Sequence, residues 1–307
     1  MLMRAVFKTF GWLQSWRLQP GLTPLPGVAQ LSDAVTRVLA CNPSPMTLQG
    51  TNTYLVGTGR RRILVDTGSA SVPEYVDRLE RVLREADAEL QEVVLTHWHP
   101  DHVGGLADIR RRLGDVPARK FPRPEAAETP GVTLLSDGDV ISTEGATLRV
   151  VHTPGHCTDH VVLMMSEGGV LFSGDCVLGE TTAVFEDLAD YMASLQRLLE
   201  MAPRVIYPGH GPVVENPVEK IQHYIDHRLE RERQLVAALR ASDPDARTVA
   251  ELVTTVYTDI PFYMRRPASV NVKHHLDKLV KDGAVAVSEG ERYSLVKDGE
   301  CSAGESG

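Results

Sequence analysis

The sequence predicts an α+β protein, with sheets covered by helices and then a small helix–helix–hairpin unit. Two observations carry this reading. From about Asp33 to Pro208, short apolar runs of strand character are interleaved with amphipathic segments of helical period, the pattern of sheets buried under helices. After Asp243-Pro244-Asp245 the pattern changes to two short helices and a hairpin. A third observation is local: His97-Trp98-His99-Pro100-Asp101-His102 packs three imidazoles and a carboxylate into six residues.

Val35 to Leu39 is short and apolar. Asn52-Thr53-Tyr54-Leu55-Val56 and Arg62-Ile63-Leu64-Val65 flank a Gly57-Thr58-Gly59 turn, a hairpin signal. Val72 to Ala86 is an amphipathic helix with Val76, Leu79, Val82 and Leu83 on one face. Glu92 to Thr96 reads as a buried strand and Leu106 to Leu113 as a helix, so the histidine cluster falls where a strand ends and a helix begins. Between about Gly114 and Pro130, proline and charge mark a loop. Strands return near Thr133–Leu135, Thr147–Val151, Val161–Met165 and Gly169–Phe172, and helices cover roughly Asp187–Glu200 and Pro217–Arg240. Thr248–Tyr257 and Ser269–Asp282 are short helices, with Leu252, Val253, Val272, Leu276 and Leu279 inward. Ala284–Val287 and Arg292–Val296 then form a hairpin about Glu289-Gly290-Glu291, completing the plan of a winged helix. The expected division is a basic extension at 1–32, a main domain at 33–242, a winged helix at 243–297 and a disordered tail at 298–307.

At 307 residues, 42% hydrophobic and 24% charged, the chain is an ordinary globular protein of one to two domains. No apolar run approaches the roughly 20 residues of a membrane helix, so no membrane partner is expected. A net charge of −9 excludes a surface that binds nucleic acid electrostatically as a whole, leaving only local basic patches. Cys41, Cys157, Cys176 and Cys301 show no CxxC spacing, which excludes a zinc ribbon and a disulfide-stapled scaffold and points to a reducing compartment. The first 32 residues hold Arg4, Lys8 and Arg17 but no acid, with Leu2, Val6, Phe7, Phe10 and Leu13 at near-helical spacing. That is the composition of a mitochondrial transit peptide, so the matrix is the expected location and the cytoplasm the alternative. Scarce serine, bulky Trp12 and Trp16, and Pro20, Pro24 and Pro26 argue against it.

Imidazole and carboxylate are the natural ligands of Zn²⁺, with bonds of about 2.0–2.2 Å. Three further strand-like runs each end in one such side chain: His156 after Val150-Val151-His152-Thr153-Pro154-Gly155, Asp175 after Val170-Leu171-Phe172-Ser173-Gly174, and His210 after Val205-Ile206-Tyr207-Pro208-Gly209. Seven donors are too many for one tetrahedral ion and suit two, with positions left open for water and substrate. Two ions about 3.5–4 Å apart lower the pKa of water from 15.7 to about 7 and stabilise a leaving oxygen, so hydrolysis becomes feasible at neutral pH. The same donors also suit Mn²⁺ and Fe²⁺.

This set of residues resembles the metallo-β-lactamase superfamily. The resemblance implies an αββα sandwich with the site at one edge of its two sheets, and two Zn²⁺ per chain. His97, His99 and His156 would bind the first ion, Asp101, His102 and His210 the second, and Asp175 would bridge them. Asp66, in Ile63-Leu64-Val65-Asp66-Thr67-Gly68, would orient a zinc-bound imidazole. Cys41-Asn42-Pro43, Met46 to Tyr54, Phe172 to Cys176, Phe185 to Leu188 and Tyr191-Met192, with the winged-helix tail, resemble one branch of the superfamily, the animal beta-lactamase-like protein two family. That branch is described as mitochondrial endoribonucleases acting on single-stranded RNA. The resemblance runs from about Asp33 to Val296 and implies a zinc-dependent endoribonuclease in mitochondrial RNA turnover, in which metal-activated hydroxide attacks the phosphodiester. Asp101 would be the catalytic carboxylate, orienting that hydroxide while binding zinc. His160 reads as structural at least as readily as a proton donor. The chain departs from the branch in its longer basic extension and its shorter Gly114–Pro130 loop, which lies near the expected substrate path.

Between Arg247 and Asp298 eight Lys/Arg face seven Asp/Glu, and Lys273, Lys278 and Lys281 are the candidate RNA contacts there. One rival is a thioester hydrolase of the glyoxalase II kind, which uses the same seven ligands and whose helix Tyr191-Met192-Ala193-Ser194-Leu195 resembles. A winged helix is an odd companion for that chemistry, and Gly174 to Gly179 lacks the phenylalanine that family places after its aspartate. The other rival is a nucleic-acid-binding module with a non-catalytic metal site, although a structural zinc needs only four closed ligands.

Overall fold

The computed structural model describes residues 21–124, 130–242, 244–258 and 265–296. The basic stretch from Leu2 to Arg17 and the tail at 298–307 lie outside the described residues.

Seven strands form the first sheet in sequence order: β1 (Val28–Ser32), β2 (Val35–Leu39), β3 (Asn52–Val56), β4 (Arg61–Val65), β5 (Glu89–Leu95), β6 (Ala118–Lys120) and β7 (Val132–Leu134). β1 to β4 pair antiparallel, and β4 to β7 pair parallel. Parallel neighbours need crossovers. Helix α1 (Pro73–Glu85) makes one between β4 and β5, while α2 (Pro100–Val103) and α3 (Leu106–Leu113) make the next. The second sheet contains β8 (Val140–Thr143), β9 (Ala146–His152), β10 (Val161–Met165), β11 (Val170–Gly174) and β12 (Val205–Pro208), in the order β12-β11-β10-β9-β8. Its one parallel pair, β11 with β12, is joined through α4 (Leu188–Met201). Asp187 caps α4 by accepting from Asp190 N at 3.1 Å, a contact worth about 1 kcal/mol.

The two sheets face each other. Tyr54, Val56, Ile63 and Val65 point inward against Leu148, Val161, Leu163, Phe172 and Tyr207. The alternate residues Leu55 and Leu64 point outward under Tyr75, Leu79 and Ile109 of α1 and α3. Period two with both faces buried explains why these strands read as unbroken apolar runs. On the far side, Leu171 and Ile206 pack under Tyr191 and Leu195 of α4 and Ile221 and Tyr224 of α5 (Pro217–Ser242). The layers are helix, sheet, sheet, helix: the αββα sandwich.

Helix α5 is 26 residues long, about 39 Å at 1.5 Å per residue, and serves two cores. Its first half packs on the second sheet, and Leu235 and Leu239 in its second half join Leu252, Val272, Leu276 and Tyr293. That second core belongs to a winged helix of β13 (Arg247–Thr248), α6 (Val249–Val256), α7 (Arg265–Lys281), β14 (Val285–Ser288) and β15 (Arg292–Leu295), with strand order β13-β15-β14.

Several elements differ from the sequence reading. Val28–Ser32 was expected in the basic extension, yet it is an edge strand; half-buried and of mixed polarity, it carries no periodic signal. Ala118–Lys120 lies in the stretch read as a loop, but it pairs with β5 and β7; three residues are too few to show a period. Val140–Thr143, assigned no strand, forms the edge of the second sheet and buries only Ile141. Helix α7 starts four residues before Ser269, with Pro267 in its first turn, where its missing N–H has no partner to lose. Among the described residues no helix is long and apolar enough to cross a membrane.

Candidate metal centre

Four strand ends of the two sheets deliver the expected ligands to one place. After β5, Thr96 and His97 lead into α2, which starts at Pro100 and carries Asp101 and His102. Thr67, just past β4, ties this turn down: its N and Oγ1 donate to His102 O at 2.8 and 2.7 Å. His156 follows β9, Asp175 follows β11 and His210 follows β12. A Cβ on Gly209 would lie 2.4 Å from Asp175 Oδ1, so only glycine lets that backbone pass the carboxylate.

The donors form two groups that could each hold a metal: His97, His99, His156 and Asp175, and Asp101, His102 and His210. In the first, His99 Nδ1 lies 2.9 Å from His97 Nε2 and 3.0 Å from His156 Nε2. In the second, His102 Nε2, His210 Nε2 and Asp101 Oδ2 are 3.2–3.3 Å apart. Ligand atoms on one tetrahedral ion with bonds of about 2.0–2.1 Å sit about 3.3 Å apart, so both spacings are those of a chelate. Asp175 divides its carboxylate between the groups. Its Oδ2 faces His156 and His97 at 3.7 and 4.0 Å, and its Oδ1 faces His102 and His210 at 3.4 Å each. That Oδ1 is buried with no hydrogen-bond partner among the described residues. An orphaned carboxylate oxygen between two imidazole nitrogens fits a cation in that position.

The ring nitrogens that face outward fix the tautomers. His102 Nδ1 donates to Asp66 Oδ2 at 2.7 Å, His156 Nδ1 to Val184 O at 2.8 Å and His97 Nδ1 to Thr96 Oγ1 at 3.0 Å. Each leaves Nε2 as the lone pair aimed inward. Asp66 also accepts from Thr96 N and Thr96 Oγ1, both at 2.8 Å. These three bonds hold it at φ +59°, a left-handed conformation that costs an L residue about 1–2 kcal/mol.

The two groups differ electrostatically in the metal-free protein. Burial, with His102 and His99 nearby, holds His97 well below the usual histidine range, and burial with His156 brings His99 down to about 3. In the second group burial is outweighed. Asp175, Asp101 and Asp66 raise His102, and Asp175 and the bond to Asp101 raise His210 to about 9.

Thr96, Thr51 and Asn42 support the centre without a local signal in the sequence, and His160 takes the structural role read for it above. Thr96 links Asp66 to His97, and Thr51 Oγ1 approaches Asp101 Oδ2 at 3.4 Å. Asn42 holds Thr51 through Oδ1 and Nδ2, at 2.8 and 3.0 Å. His160 is buried, with Nδ1 against Thr153 Oγ1 and Nε2 accepting from Asp175 N at 3.1 Å, so it positions Asp175. The three lysines named as candidate RNA contacts each make ion pairs within the chain. Lys273 pairs with Asp277, Lys278 with Glu232 and Asp282, and Lys281 with Asp187 at 2.5 Å.

Residues 46–210 match the Metallo-beta-lactamase superfamily, and residues 248–292 match the Beta-lactamase associated winged helix domain. The chain belongs to the metallo-beta-lactamase superfamily, whose members are metal-dependent hydrolases. Among curated relatives, it is 48% identical to the Beta-lactamase-like protein 2 homolog of Drosophila melanogaster, covering 86% of this chain and 94% of that one. It is 40% identical to an atrochrysone carboxyl ACP thioesterase of Aspergillus novofumigatus, covering 87% and 85%. A solved metallo-beta-lactamase family protein from Thermus thermophilus superposes with a TM-score of 0.67 at 26% identity, covering 87% of this chain and all of that one.

Proposed function

We propose that this hydrolase is a zinc-dependent endoribonuclease that cleaves single-stranded RNA, with His97, His99 and His156 holding one ion, Asp101, His102 and His210 the other, and Asp175 both. The observation that carries the two-metal reading is the division of Asp175 between the two donor groups. When bound, the ions supply an activated water and offset the charge that builds on phosphorus. The chain's own side chains do the positioning. Asp101 is the most open of the ligands, with 24% of its side chain exposed, so it is the carboxylate placed to accept a hydrogen bond from the attacking water. Thr51 holds it from behind. Support for RNA comes from the 45–48% identity to beta-lactamase-like protein 2 homologues, read with the branch resemblance. Trp98 lies beside His99, with Arg123 over it at 4.0 Å, and Phe121 stacks on His152 at 4.2 Å. Such rings stack on bases of any sequence. The basic N-terminal segment supports a mitochondrial location.

A thioester hydrolase is the second reading. It is favoured by the thioesterase relative, which matches nearly as much of the chain, and by the internal pairing of Lys273, Lys278 and Lys281. Incubating the zinc-loaded protein with labelled single-stranded RNA and with an acyl thioester separates the two. RNA cleavage by the parent, lost in Asp101→Asn, is the expected result. Thioester turnover without RNA cleavage would sink the nuclease reading.

A further inference from the structure

The His156 half of the centre is reached from the far end of the molecule. His156 Nδ1 donates to Val184 O, and Val184 lies on the loop between β11 and α4. That loop is held from three sides. Glu186 N and Asp187 N bond back to Gly155 O at 2.7 and 3.1 Å, next to His156 itself. From α5, Tyr224 Oη donates to Thr181 O at 3.0 Å, and Arg228 Nη2 donates to Ala183 O at 3.1 Å. From the winged helix, Lys281 pairs with Asp187, and the rings of His274 and His275 stand 5.5 and 6.5 Å from Phe185.

Arg228 is an unusual tether. Its side chain is buried, its guanidinium is 5.2–5.9 Å from the rings of Phe185, Tyr224 and Tyr191, and its Nε has no hydrogen-bond partner among the described residues. A cation is costly to bury, and here three aromatic faces, the Ala183 carbonyl and His227 Nδ1, 2.7 Å from Nη1, compensate it. The result is a rigid strut whose far end is the peptide next to Val184.

We propose that the winged helix and α5 brace the His156 half of the metal centre through the 181–187 loop, with Arg228 as the main positioning residue and Lys281 as an auxiliary one. The tail then acts on the site through His156, whatever the substrate is. Outer partners of metal-bound histidines tune affinity by about tenfold to a hundredfold, so a slack loop should weaken one ion and spare the other.

The test is a Zn²⁺ titration of the metal-free, full-length protein against a chromophoric chelator, resolving two constants. Arg228→Met should weaken one constant by about tenfold to a hundredfold and leave the other within about twofold. Lys281, with 55% of its side chain exposed, forms a screened pair, so Lys281→Ala should cost that constant about fivefold at most. Lys281→Arg should restore it. In a His156→Ala background Arg228→Met should add nothing, because the affected half is already lost. Melting of the metal-free variants reports general damage. If Arg228→Met does not fold, Lys281→Ala with its Arg rescue decides. Two unchanged constants, or two that fall together, would overturn the brace. A parent that binds fewer than two Zn²⁺ would instead count against the two-zinc reading above.

Discussion

The two halves of the centre use similar side chains to opposite electrostatic ends. His97, His99 and His156 crowd three buried imidazoles around one oxygen of Asp175, and all three are pushed down, toward neutrality. Asp101, His102 and His210 share Asp101, the other Asp175 oxygen and, one step out, Asp66, and both histidines are pushed up. The first half is a set of waiting lone pairs. The second is a set of carboxylates that seeks positive charge and takes protons when it has no metal. One carboxylate, Asp175, serves both.

Removing that shared group should have the largest effect. Asp175→Ala deletes a donor from each half, so zinc stoichiometry should fall below two and hydrolysis should drop by about a thousandfold, several kcal/mol of charge stabilisation. Elemental analysis and turnover measured on the same sample check this. Two tightly held ions in the variant would show that the halves do not depend on their bridge.

The electrostatic contrast predicts a pH optimum for the metal-free protein. His210 is raised from 6.5 to about 9 on folding, so its contribution is full below pH 6.5 and is lost as pH climbs through about 9. His99 is lowered to about 3, so its neutral form costs nothing above pH 6.5 and folding weakens as pH falls from 6.5 toward 3. Each effect has an upper bound on the order of 3–5 kcal/mol, at 1.36 kcal/mol per unit. Melting of chelator-treated protein should therefore peak near neutral pH and decline on both sides. Saturating zinc should flatten the alkaline limb, since metal replaces the protons. A profile that rises steadily through pH 9 would contradict the assignment of the raised histidines.

The candidate ligands were readable in the sequence because each follows a short local grammar: apolar strand, small residue, donor. Asp66 came with the resemblance and His160 was read as structural, but what each support holds was not legible, because the partners come from far along the chain. Asn42 acts on Thr51, Thr96 on Asp66 thirty residues back, and His160 on Asp175. The ion pairs of the near-neutral tail were out of reach for the same reason: Lys281 meets Asp187 across 94 residues and Lys278 meets Glu232 across 46. Sheets covered by helices were legible from strand and helix period and the winged helix from its element order, while the αββα layering came with the resemblance that the donor set carries. The strands that escaped are weak in the signals that reading uses: β6 is too short to show a period, β1 is only half-buried, and β8 buries one residue.

A smaller effect than the loss of Asp175 comes from one oxygen of Asp66. That carboxylate accepts three bonds, from Thr96 N, Thr96 Oγ1 and His102 Nδ1, and Asp66→Asn replaces one acceptor with a donor at nearly the same volume. Either the Thr96 N–H or the His102 N–H must then face an N–H, and an unmet buried donor costs about 1–3 kcal/mol. His102 belongs to the second half, so the zinc constant that weakens, by about tenfold to a hundredfold, should be the one that Arg228→Met leaves alone. Thr96 Oγ1 also contacts His97 Nδ1 at 3.0 Å, which gives the change a route into the first half. If the halves are electrically distinct but mechanically joined at Thr96, Asp66→Asn will move the second constant strongly and the first by a few-fold. Equal loss in both would mean that Asp66 is the hub of one centre rather than the anchor of its acidic half.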